Sequence, residues 1–128
     1  MATYFVDDGA GGGAGDGSTW EDAYLTLVAF LAAVTPAAGD IIYIGSTHQE
    51  TAAVAIAFTG PAGATPAYYI SSQVGTGTTV VYESMHSTTG YIAQSGTSVD
   101  FSTTFGDSII LEGLYLKPAD QFQFKSGD

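Results

Sequence analysis

Thirteen carboxylates, two histidines and two lysines hold nearly all the ionic chemistry open to this 128-residue chain, which has no arginine and no cysteine. Asp7, Asp8 and Asp16 bracket a glycine loop, and hard oxygen donors on a pliable backbone suit Ca²⁺. Their spacing matches no EF-hand, and aspartate also favours Gly-rich turns because it bonds its own backbone. His48 lies two residues before Glu50, and His86 three after Glu83. Either pair could serve as acid and base, against the plainer reading of a histidine in an exposed turn. Glu83, Asp100, Asp107 and Glu112 could supply the two carboxylates of glycoside hydrolysis. Each stands alone near a strand end or turn, where solvation accounts for it. Tyr43, Tyr68, Tyr69, Tyr82, Tyr91 and Tyr115 could stack on sugars, but in alternating strands half of them point into the core. GxSxG, P-loop and HExxH patterns are absent. No catalytic residue and no cofactor is assigned, and the metal reading is confined to Asp7, Asp8 and Asp16.

Composition narrows the partners. With a net charge of −11 and two lysines, the chain lacks the cations that counterion release from phosphate requires. Nucleic acid is excluded as a partner on this ground, and an anionic membrane or acidic polysaccharide is disfavoured. β-Elimination of acidic sugars, which uses Arg or Lys, is the least supported enzymatic reading. Charged residues make up 12 % and apolar ones 45 %, which separates the chain from disordered acidic tails. Disulfides and thiolate metal sites are unavailable without cysteine. Residue Met1 runs almost directly into a strand with no signal-like segment, so a native start there predicts synthesis in the cytosol. The longest apolar stretch, 25–34, is too short to span a bilayer.

The elements that must position these groups begin with a strand at Tyr4, Phe5 and Val6 and a Gly/Asp loop. Ser18-Thr19-Trp20-Glu21 matches a capping box, and Asp22 adds favourable charge in a first turn. Trp20, Tyr24, Leu27, Val28, Leu31 and Val34 then form an apolar stripe at helical spacing. The pattern predicts a helix over 18–34, stopped by Pro36, with Gly39-Asp40 turning into Ile41–Ile44. Strand-like runs follow at 53–58, 67–71, 79–82, 90–93, 98–101, 108–116 and 122–124, divided by Gly-, Pro- and Thr-rich turns. Two or three such runs fill a period of about 20–30 residues, the range of solenoid repeats, with no exact residue repeat, and a sandwich would also space its strands evenly.

The order aromatic-Val-Asp at 4–7, Gly/Asp loop at 9–17, Thr19-Trp20, Ala23-Tyr24, Thr26-Leu27 and Gly39–Ile44 resembles the N-terminal cap of right-handed parallel β-helix proteins of the pectate-lyase-like superfamily. The likeness covers about a third of the chain. At the first rung it departs from the family's usual "GTYxE", with Gly45-Ser46-Thr47-His48-Gln49-Glu50 at the site. The resemblance implies a single all-β domain over 1–128. Residues 1–40 would be the strand, loop and capping helix, and 41–128 rungs that can continue past the chain end. Ser18, Trp20, Glu21, Tyr24, Leu27, Val28 and Leu31 would form the structural cap, with Ile42 and Ile44 beneath them. No matching cap is apparent at the C-terminal end.

Polysaccharide lyases and hydrolases, adhesins, and phage tailspikes and other virion proteins belong to that superfamily. Among them, a non-enzymatic virion protein is the leading expectation: a capsid-decorating, spike or fibre subunit, made in the host cytoplasm. Its partners would be other virion proteins or copies of itself, a homotrimer included. The alternative is a fragment of an extracellular carbohydrate-active enzyme or adhesin, acting on or binding a polysaccharide.

Overall fold

The computed structural model describes residues 1–11, 13–96, 100–104 and 107–125. The elements are β1 (Thr3–Val6), α1 (Leu27–Ala33), β2 (Ile41–Gly45), β3 (Gln49–Ala52), β4 (Ile56–Phe58), β5 (Ala67–Gln73) and β6 (Val81–Tyr82), then a short 3-10 turn at Met85–Ser87. After it come β7 (Tyr91–Gln94), β8 (Phe101–Thr104), β9 (Ile109–Glu112), β10 (Leu116–Lys117) and β11 (Phe122–Lys125). Three small sheets result. One runs β1-β2-β5 with β6 and β9 both on the far side of β5; the others are β3-β7-β10 and β4-β8-β11. Among the described strands, each pairing is parallel except that of β5 with β6.

Parallel, in-register pairing stacks like residues in columns. Tyr4, Ile42, Tyr69 and Leu111 lie in one. Ile56, Phe101 and Phe122 form another, and Phe101 and Phe122 stack ring on ring at 6.3 Å. These side chains meet in one core with Val6, Leu27, Phe30, Ile44, Phe58, Met85 and Ile92. A second, smaller cluster of Phe5, Trp20, Ala23, Tyr43 and Ile70 covers the opposite face of the first sheet, as period-two alternation along β1, β2 and β5 requires.

Two expectations are corrected here. The right-handed parallel β-helix is not what the structure shows: among the described residues the strands form three separate small sheets and no closed solenoid. The chain breaks a regular winding after β5, where a turn through 74–80 reverses it and pairs Val81 and Tyr82 antiparallel with Gln73 and Ser72. The run predicted at 108–116 is likewise two strands, split at Gly113, whose φ of 72° is a left-handed conformation suited to glycine. β3 was hidden in the sequence because Gln49, Glu50 and Thr51 carry no apolar alternation. The predicted run 98–101 lies partly outside the described residues.

The helix is also shorter than predicted. It starts at Leu27, with Thr26 as N-cap accepting from the Ala29 N–H at 3.0 Å. No capping box forms at Ser18, which is exposed and whose N–H donates to Asp16 Oδ1. Residues 17–24 instead lie along the free edge of β1: the Phe5 N–H donates to Gly17 O, the Tyr24 N–H to Phe5 O, and the Asp7 N–H to Tyr24 O. Trp20 and Ala23 thereby pack on one face of the sheet and Leu27 and Phe30 on the other. One continuous helix cannot serve both faces. Phe30, missed in the predicted stripe, is fully buried, while Tyr24, Val28 and Leu31 are half-buried against the same core.

Candidate functional site

His48 and Glu50 sit where β2 hands the chain to β3, and both are buried. His48 closes a tight turn, its N–H donating to Gly45 O, and alternation along β3 turns Glu50 inward above Ile92 and Leu116. A carboxylate thus heads a column that is apolar below it. Its position is explained by α1, whose first N–H groups have no partner within the helix. The Leu27 N–H donates to Glu50 Oε1 at 2.6 Å and the Val28 N–H to Oε2 at 3.2 Å. An anion at a helix N-terminus is also favoured by the helix dipole.

The histidine completes the arrangement. Its Nδ1 accepts the Asp8 N–H at 2.9 Å, and its Nε2 lies 2.8 Å from Glu50 Oε1. With Nδ1 an acceptor, the proton of the neutral ring belongs on Nε2, donated to the carboxylate. His48 therefore ties the loop after β1 to the carboxylate that caps α1. The expected exposed turn histidine is a buried connector.

Asp7, Asp8 and His48 bring ligand atoms within 4.8 Å of one another. Asp16 is not part of this group; its carboxylate accepts from Ser18 and is held below the usual range by that bonding. A cation taken by His48 Nδ1 would have to displace the Asp8 N–H, so the present geometry is a hydrogen-bonded one. Asp7 is buried, and its carboxyl is raised above 3.8, first by burial and then by the nearby Asp8 charge. Its Oδ2 accepts from the Gly9 N–H at 3.1 Å.

Asp7 also lines an open cleft of about 390 Å³ with Gly9, Trp20, Glu21, Val74 and Gly75. Glu21, exposed, is held below its usual range by the Gly77 N–H, which reaches its two oxygens at 3.1 and 3.0 Å. The Trp20 ring is no stacking platform: it is buried against Phe5 at 4.7 Å, with Nε1–H donating to Thr79 O.

The remaining candidates disperse. Glu83 Oε2 accepts from the Ser46 hydroxyl at 2.5 Å and shares a 200 Å³ cavity with Tyr82 and Glu112. Asp107 pairs with Ala62 through an isolated bridge, and Asp100 precedes β8. His86 is exposed and packs against Tyr115, not Glu83. Tyr69 is core, its hydroxyl donating to Thr59 O at 2.6 Å and pushed up to about 12 by burial. Tyr43 is buried too, whereas Tyr82 and Tyr115 are exposed. Lys117 lies over the Tyr91 and Tyr115 rings. Among the described residues, no helix is long and apolar enough to cross a membrane.

The sequence signal for the His48–Glu50 unit was present as a His-x-Glu spacing. Its meaning was not, because the start of α1, the group that needs the carboxylate, lies eight residues beyond the capping pattern at Ser18. No protein-family model, no curated protein and no solved structure matches this chain.

Proposed function

We propose that the chain is a non-enzymatic structural protein of a phage virion, a capsid-decorating, spike or fibre subunit that acts in assembly or surface attachment. The observation that carries the non-enzymatic part is the use of His48 and Glu50. The histidine–carboxylate pair is buried, and each of its oxygens and ring nitrogens holds a backbone group or its partner. Such a pair is engaged in holding the start of α1 and the loop after β1 in place. The sequence likeness of residues 4–44 to a superfamily that includes phage tailspikes and other virion proteins supports the virion setting, as does the low charge density of a chain suited to assembly. Partners on this reading are other virion proteins or further copies of the chain. Tracking the chain with an antibody through a density gradient of particles from the source culture tests the setting. Co-migration with particles is expected, and exclusive recovery as free protein would sink it.

One observation favours the second reading, a carbohydrate-active or adhesive fragment. Asp7 and Glu21 line the same cleft, one carboxyl raised and the other lowered, the divergence that separates an acid from a base. Both are already engaged by backbone N–H groups, and the one tryptophan is buried. Release of reducing ends from a panel of neutral and acidic polysaccharides, lost in Asp7→Asn and Glu21→Gln, would establish this reading instead. No release is expected.

A further inference from the structure

We infer that the end of the molecule formed by β9 and β10 docks a second copy of this chain, end to end. This deepens the assembly reading and rests on it only in taking copies to meet. The two ends of the core differ. At one, α1 lies over the inward columns with Leu27 and Phe30 fully buried. At the other, Ile109, Leu111, Leu114 and Leu116 reach the core but stay half-buried. Ile110 and Tyr115 beside them are 42 % and 38 % exposed.

The backbone tells the same story. β9 pairs with β5 and β10 with β7, and among the described residues neither has a second strand neighbour. Each presents a row of N–H and C=O groups of the kind that recruits a further strand.

Charge identifies the occupant. Residues 1–104 hold nine carboxylates and no lysine, whereas 107–125 hold three carboxylates and both lysines of the chain. Two copies of a −11 chain repel across most of their surface. The β9–β10 end is the least acidic part, because Lys117, held over the Tyr91 and Tyr115 rings, offsets one of the neighbouring carboxylates Glu83 and Glu112 and can reach a carboxylate of the partner copy. A two-fold arrangement of identical end faces meets this requirement with one patch.

Sedimentation velocity of the 128-residue chain over a wide concentration range tests the inference. A dimer is expected, and it should tighten as salt screens the repulsion between the acidic bodies. Ile110→Lys and Lys117→Glu change exposed side chains, so circular dichroism should report an unaltered fold. Each should weaken the dimer by about tenfold or more, the scale of a lost interface anchor. A monomer at every salt concentration, or an oligomer that both substitutions leave intact, would overturn the inference. Those results would leave the non-enzymatic reading standing, which fails only on measured glycan turnover.

Discussion

Glu50 occupies a position whose column neighbours, Ile92 and Leu116, are apolar, so its charge must be held by something other than solvent. Two helix N–H groups and His48 hold it. Removing the carboxylate leaves buried donors without acceptors, and hydrogen bonds to charged groups are worth roughly 1.5–3 kcal/mol each. Glu50→Ala should therefore lower the urea-derived stability by about 3 kcal/mol or more, the loss of at least two such bonds. Glu50→Gln, which keeps one acceptor oxygen, should lose less. Equal losses would mean that shape rather than charge sets the position. Asp7 presents the opposite balance. Because burial raises its folded pKa above 3.8, the folded chain retains a proton that the unfolded chain has released in the window above 3.8. Stability thus falls as pH rises through that window. Asp7→Asn keeps an acceptor for the Gly9 N–H and removes the buried charge. It should be more stable than the parent at neutral pH, with the advantage closing below pH 3.8. A constant difference at all pH values would show that the charge is not the cause.

At the scale of elements, the start of α1 separates local pattern from tertiary demand. Ser18-x-x-Glu21 and Thr26-x-x-Ala29 both follow hydroxyl N-cap spacing, and the first looks better because Glu21 completes a capping box. The structure uses the second, since residues 17–24 are drawn along β1 by three backbone hydrogen bonds. Thr26→Ala should cost about 1 kcal/mol, and Ser18→Ala should stay within about 0.5 kcal/mol, as for an exposed site. Urea titration of both variants checks this, and the reverse order would restore the longer helix. The apolar stripe was legible because Leu27, Val28, Leu31 and Val34 do share a packed face. Its N-terminal bound was not, because Trp20 has helical spacing to that face yet lies against Phe5 on the other side of the sheet. Strands β5, β7 and β11 were readable from Tyr, Ile and Phe alternation. β3 was not, because its inward residues are a small alanine and a carboxylate answering a helix distant in sequence. The same gap hid the site: the His48–Glu50 spacing was visible, but the neighbours that give it a role lie 22 to 40 residues away in sequence.

For the whole molecule, the uneven spread of charge bears on stability as well as on association. Folding draws the nine carboxylates of residues 1–104 together with no lysine among them. Their repulsion is weaker in the expanded unfolded chain, so it opposes the folded state. Some of these acids are offset locally. Glu21 accepts from Gly77, Asp22 from the Ala14 N–H and the Thr19 hydroxyl, and Asp40 from the Ala2 and Ala37 N–H groups. Among the described residues none of them meets a lysine, so no such attraction between full charges offsets the long-range term there. Salt screens exposed charges beyond about 8 Å at physiological ionic strength, and the repulsion should fade accordingly. The melting temperature should therefore rise as NaCl is added to a low-salt buffer. Roughly 1 kcal/mol corresponds to about 4 °C in a domain of this size. The Lys117→Glu chain is the proper subject, because weakening dimerisation separates folding from association, and its extra carboxylate should enlarge the salt response. A melting temperature that falls with salt would show that the carboxylate–N–H bonds, which salt weakens, outweigh the repulsion.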